Sequence, residues 1–365
     1  MSNRGAIIRF CASALIVALF LTYTSIKGLS YSGGDVVIQT IAPITESYTS
    51  SAGTDFENPS SQNSAVQDSA SSAVSSPTAS VPVSASGAVQ GKVIEKFISP
   101  YTANTSYNNV YLKNNTDLKI NLKDFVNGKL QFKIEKNGKP QVLILHTHAT
   151  ESYLRHNEKY YTENDTARST DNAYNMVALG KIIADRLNAA GIVTLHDTTQ
   201  HDNPSYNESY SRAADTICKY TEKYPSIKIV IDLHRDALAE NDTDKVKVTT
   251  EIDGKKAAQI MLVMGSQSGN VKNFPNWKEN LKLATRLQQT IEVMYPSLAR
   301  SIHFMSKNYN ESLTTGSMLI EIGTDANSLD EAIYSAEMVG DCLVDLFNKL
   351  EYVINKFLNS CNLDN

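Results

Sequence analysis

Two histidines one residue apart, His146 and His148, follow the apolar run Gln141–Leu145, and Glu151 comes three residues later. A second apolar run, Ile227–Leu233, leads into His234, Arg235 and Asp236, and Glu321 interrupts a third, Met318–Ile322. Two imidazoles and one carboxylate with an open fourth position make a catalytic zinc set. A further carboxylate nearby can take a proton from the attacking water, which is hydrolase chemistry. A single His at a strand end more often makes a structural hydrogen bond, so the weight lies in the joint pattern. A buried strand has little reason to end in two His, and a Glu inside an apolar strand is costly to bury without a metal, a cation or a catalytic role. The competing reading of Glu321 is a buried ion pair with Arg235 or Arg212. If the pleat of the first strand continued through His146 and His148, both would point the same way. One would then bind the metal and the other would serve beside it; His148 is the preferred ligand and His146 the alternative. Arg235 and Arg212 are candidates for holding a substrate carboxylate bidentately, and Asn310, just ahead of the Glu321 strand, for a substrate contact.

These residues need elements that bring them together. The short apolar runs at 141–145, 192–195, 227–233, 260–264 and 318–322 read as buried strands. Between them, Met176, Leu179, Ile183 and Leu187 recur at helical spacing, with Thr170 or Asp171 as a cap and Gly191 as the stop. Further helices are expected over 205–223, 278–294 and 329–350. Strands alternating with helices predict an α/β fold in three layers, a mostly parallel or mixed sheet with helices on both faces. In such sheets ligands bind outside the carboxyl ends of the strands, where three of the candidate residues would converge.

The rest of the chain narrows the function. All 7 His lie at or beyond residue 146. The formal net charge of −5 is unsuited to nucleic acid as a main partner. The 4 Cys contain no CxxC pair and are too sparse for a disulfide framework. No HExxH helix is present, so a soluble zinc peptidase of that type lacks support. Residues 1–28 hold an apolar run behind Arg4 and Arg9 and read as an uncleaved signal anchor, with the remainder exported. Residues 29–91 read as a Ser/Ala-rich disordered linker. Residues 92–140 would then extend the front of a catalytic domain spanning 141–358.

Several segments, LILHTHATESY, TDNAYNMVALGKIIADRLNAAGI, IVIDLHRDA, YNESL and LIEIG with the following Asn327, occur in order between about residues 95 and 350. Together they resemble the stage II sporulation protein P family, membrane-anchored cell-wall hydrolases of spore formers that are similar to zinc N-acetylmuramoyl-L-alanine amidases. The resemblance implies an amidase-like fold, zinc, and cleavage of the bond between the muramoyl lactyl group and L-Ala during engulfment, with stem-peptide cross-links as a second target. It implies His148 and His234 as zinc ligands, and Glu321 as catalytic base. It puts the middle ligand four residues before Asn175, at Asp171; Glu151 is the alternative because Asp is shorter than the Glu of the amidase pattern. It also implies peptidoglycan as substrate, membrane partners of the same sporulation stage including a glycan-cleaving transglycosylase, and a location between the mother-cell and forespore membranes. The competing function is a non-catalytic wall-binding scaffold of that complex.

Overall fold

The computed structural model describes residues 87–361. The expected anchor and nearly all of the expected linker lie outside them. The elements in chain order are β1 (Val89–Lys96), β2 (Thr105–Tyr107), β3 (Val110–Asn115), α1 (Leu122–Asn127), β4 (Val142–Leu145), β5 (Tyr160–Thr162), α2 (Met176–Ala189), β6 (Thr194–His196) and α3 (Ser209–Lys223). They continue with β7 (Ile229–Asp236), β8 (Lys245–Ile252), β9 (Lys255–Ala258), β10 (Ile260–Gly265), α4 (Trp277–Met294), β11 (Ile302–Met305), β12 (Gly316–Thr324) and α5 (Leu329–Cys361). Among the described residues no helix is long and apolar enough to cross a membrane.

The main sheet runs in the order β2-β3-β11-β10-β12-β7-β4-β6. β12, β7, β4 and β6 are mutually parallel, as are β3, β11 and β10, and the two blocks join where β10 pairs antiparallel with β12. The sheet is therefore mixed and three-layered, as the strand and helix patterns predict. All four side chains of β4 are buried, because helices cover both of its faces. Ile144 and its neighbours pack with Leu179 and Ile183 of α2 and with Val339 and Leu343 of α5. Leu143 and Leu145 face the other way, onto Ala213 and Ile217 of α3.

The front of the domain is more tightly built in than a simple extension: β2, β3 and α1 belong to the main layers, and β1 enters a second sheet in the order β5-β1-β8-β9. The sequence reading did not foresee this second sheet. The helix expected to be capped by Thr170 or Asp171 begins later. Its cap is Asn175, whose side chain accepts from the Val177 N–H at 2.9 Å, meeting one of the donors a helix start leaves without an intrahelical partner.

Candidate active site

β7 and β12 are parallel neighbours whose register sets His234 directly opposite Glu321. Period-two alternation carries Asp232, two residues before His234, onto the same face. This is the α3 face, since Val230, two residues earlier again, packs with α3. β4 ends at Leu145, so the pleat does not continue through the two neighbouring histidines. His146 falls on the α2 face. It is fully buried, with Nδ1 3.3 Å from the Leu233 carbonyl oxygen and Nε2 2.9 Å from His196 Nε2. Burial, then the nearby His196, lowers its pKa to about 3. His148 lies beyond the strand on the α3 side, its ring stacked 4.5 Å from that of Tyr206 and edge-on to His234 at 5.1 Å. Ser209 at the start of α3 holds its Nδ1 at 3.3 Å. The structure thus separates the two histidines and brings His148, not His146, to His234.

The carboxylate beside these rings is Glu151. Its Oε2 lies 3.5 Å from His234 Nδ1 and accepts from the Arg235 N–H at 3.2 Å. Asp171 corrects the sequence expectation: it is exposed, and its Oδ1 accepts from the Ala173 N–H at 3.0 Å in its own turn ahead of α2. The side chain is engaged in a local Asx turn, and no contact joins it to His148 or His234 among the described residues. Burial alone would raise the Glu151 carboxyl, but the hydrogen bond and charge of His234 and the charges of Arg235 and His148 bring it down to about 2. His148 is held near 4, chiefly by burial and then by His234. Burial opposes charge on His234 as well, yet Asp232, with Oδ1 3.0 Å from its Nε2, and Glu151 on the other side raise its pKa well above the ordinary value. Two carboxylates therefore create a field for positive charge at this point. Asp232 is itself fixed by the Thr147 N–H at 2.8 Å and hydroxyl at 2.6 Å.

Glu321 is half-buried, and its Oε2 is enclosed with no hydrogen-bond partner among the described residues. Burial above all, with Asp236 and Glu151 adding to it, raises its pKa to about 8. It has no ion pair with Arg235 or Arg212 among the described residues, so the buried-pair reading of Glu321 is not what the structure shows.

The three substrate-contact candidates turn out to be braces. Arg235 is buried and donates from Nε to the Ser152 carbonyl oxygen at 3.1 Å and from Nη2 to that of Ala167 at 2.6 Å. Arg212 donates to the carbonyl oxygens of His201, Ser205 and Asn207. Asn310 donates from Nδ2 to the Tyr210 carbonyl oxygen at 2.7 Å. In each case backbone carbonyls, of irregular segments for the two Arg and of the first turn of α3 for Asn310, take these donors. Sequence reasoning missed Asp232, Arg168, Tyr206 and Tyr210. Arg168 donates to Asp202 and to the Thr150 hydroxyl, approaches Glu151 at 3.8 Å and lies 4.9 Å over the Tyr206 ring. Asp232 was legible: an Asp two residues before His234 in an apolar strand has to share its face. The tyrosines lie in a loop and first helical turn that no spacing rule connects to the strand ends.

Metal binding can be tested against these side chains. Among the described residues, no three His, Cys, Asp or Glu groups already form a complete ligand cluster. The donor chemistry nevertheless suits zinc: His148, Glu151 and His234 supply two imidazoles and a carboxylate with an acidic neighbour, Asp232, orienting one of them. The 3.5 Å between His234 Nδ1 and Glu151 Oε2 is close to the roughly 3.3–3.5 Å between two ligands that each stand about 2.0–2.2 Å from one tetrahedral ion.

Fold and site together define a mixed α/β protein with an acid–histidine cluster at the carboxyl ends of its central strands. The profile of the stage II sporulation protein P family matches residues 45–344. The chain belongs to that family. It is 29% identical over 226 residues to stage II sporulation protein P of Bacillus subtilis (strain 168), a match covering 59% of this chain and 53% of that protein, so the chain spans about half the length of this curated relative. Among solved structures it is similar to an N-acetylmuramoyl-L-alanine amidase from Clostridium difficile 630, with 16% identity, TM-score 0.37, and coverage of 60% of this chain and 100% of that one. It is also similar to the CwlD amidase of Clostridioides difficile, solved in complex with the GerS lipoprotein, with 10% identity, TM-score 0.35, and coverage of 58% and 99%.

Proposed function

We propose that this chain is a zinc-dependent peptidoglycan hydrolase that cleaves the amide between the muramoyl lactyl group and L-Ala. The observation that carries the reading is the placement of Glu321 opposite His234, with a buried carboxylate oxygen unpartnered beside a His–Glu pair. Membership of the family supports peptidoglycan as the substrate. His148, Glu151 and His234 would hold the ion. When bound, zinc supplies Lewis acidity, making water a nucleophile near neutral pH and polarising a carbonyl. Glu321 takes the proton of the attacking water and returns it to the amine of L-Ala as the C–N bond breaks, so water and amide become carboxylic acid and free amine. A pKa near 8 keeps much of Glu321 protonated at neutral pH; a cation among its neighbours favours the ionised form a base requires. Asp232 and Thr147 orient His234, and Arg168 steadies Glu151.

The same reading places residues 1–28 as the membrane anchor, the domain between the mother-cell and forespore membranes during engulfment, and sporulation membrane proteins as partners. It also extends the target to stem-peptide cross-links. The test is to incubate the full chain in detergent with intact peptidoglycan, with and without a chelator. Release of fragments with new lactyl carboxyl and L-Ala amino ends, abolished by chelator and restored by zinc, is expected. His234→Ala is expected to lose both metal and activity. Tight wall binding with no release under any metal would instead support the scaffold reading.

A further inference from the structure

Acyl-transfer chemistry needs a donor aimed at the carbonyl oxygen as it takes on negative charge. The other donors around the site are committed elsewhere. His146 faces α2. Arg235 and Arg212 donate to backbone carbonyls. Both nitrogens of His201 are engaged, at 2.8 Å with the His146 carbonyl oxygen and at 2.9 Å with the Thr216 hydroxyl. Arg168 is held by Asp202 and Thr150.

Tyr210, the second residue of α3, differs. Its ring lies against both imidazoles, edge-on to His148 at 5.6 Å between centroids and nearly parallel to His234 at 6.4 Å. Its hydroxyl sits in the field of Asp232, Glu321 and Glu151, and no hydrogen bond to it exists among the described residues. The backbone around it is held in an uncommon form. Glu208, just before α3, has φ of 64°, and the facing Tyr309 and Asn310 have φ of 50° and 59°. Asn310 then bonds the Tyr210 carbonyl oxygen. Non-glycine residues in the left-handed region cost free energy and cluster where a site must be held in place.

We propose that Tyr210 is a catalytic residue, its phenolic O–H donating a hydrogen bond to the scissile carbonyl oxygen as that oxygen becomes an oxyanion. The inference rests on the hydrolase reading above and assigns a further role within it. Two neighbouring tyrosines are less suited. Tyr206 is 55% exposed and stacks on His148 only, and Tyr309 reaches Tyr210 at 6.3 Å with no contact to either imidazole.

Tyr210→Phe keeps the ring and removes the donor, so packing predicts no change and catalysis predicts a large one. The full chain in detergent is assayed on peptidoglycan with zinc. Tyr210→Phe is expected to lower kcat by about 10²–10³-fold, with KM, zinc content and Tm close to those of the parent. Tyr309→Phe is expected to stay within a few-fold of the parent. An active parent matched in kcat by Tyr210→Phe overturns the role of Tyr210 alone, as does a loss confined to KM. A parent that releases nothing under any metal overturns the hydrolase reading, and Tyr210's role with it.

Discussion

Two clusters of buried polar side chains hang from the last residues of β12, and they are built on opposite terms. In one, Asn327 accepts from the N–H groups of Thr324 and Val248 and donates to the Val248 carbonyl oxygen and to Glu331. Glu331 in turn pairs with Lys247 at 2.7 Å, and Lys247 also donates to Asn157. The buried polar side-chain atoms of Asn327, Glu331 and Lys247 all have partners. In the other, Glu321 Oε2 lacks a hydrogen bond, as do Nε and Nη2 of nearby Arg300, whose Nη1 pairs with Asp236. Buried groups without partners are expensive. A fold that completes one cluster and leaves its neighbour incomplete marks the incomplete one as the place where an outside ligand supplies the missing interactions.

The contrast can be broken from either side. The largest effect is expected at Glu321→Gln, which keeps size but cannot accept a proton: peptidoglycan hydrolysis should fall by about 10²–10⁴-fold while Tm and wall binding hold. A sharp fall in Tm, with activity tracking the folded fraction, would make Glu321 structural. Glu331→Ala should do the reverse, costing about 3–5 kcal/mol by leaving Lys247 buried without its main partner, with activity per folded molecule unchanged. Changing Lys247 to Met and Glu331 to Leu together should recover most of that loss in denaturant titration. Gly180→Ala comes next. A Cβ there would stand 2.5 Å from His196 Nε2 and 2.6 Å from His146 Nε2, so about 1–3 kcal/mol of destabilisation is expected from overpacking, read from the unfolding midpoint.

The smallest effect is at Glu292 of α4, remote from both clusters. Burial raises its carboxyl from 4.5 to about 7. The folded state therefore favours the protonated form, and this stabilisation is present below about pH 4.5 and is lost as pH rises to 7. Glu292→Gln should raise stability at pH 8 by about 1 kcal/mol or less for a partly solvated group, seen as a higher Tm, and leave it unchanged at pH 4. Equal melting at both pH values would remove the carboxyl's part in acid–base stability.

The strands that carry His234 and Glu321 were legible because apolar runs broken by a charge are rare and their parity is fixed. Glu151 stayed an alternative because it lies in a loop, where no periodicity says which way a side chain points. His146 stayed an alternative to His148 because the sequence does not show that the strand stops at Leu145, short of both. The second sheet left a signal that went unread. Asp253 and Gly254, with φ of 50° and 73°, join β8 to β9 by the two-residue Asp-Gly turn that favours hairpins. Asn108 and Asn109 do the same between β2 and β3 with φ of 49° and 61°.

Between Glu321 and Thr324 the pairing of β12 with β7 shifts, β12 using three steps where β7 uses two, with Gly323 at φ of 65°. Glu321 is set opposite His234 before this extra residue, and beyond it the Thr324 hydroxyl donates to the Val246 carbonyl oxygen and Asn327. The segment thus behaves like a reading frame. Losing one residue there would exchange the two faces downstream and dismantle both clusters at once. Length variants in this chain should therefore accumulate in its exposed loops, and the stretch from Glu321 to Asn327 should accept no insertion or deletion.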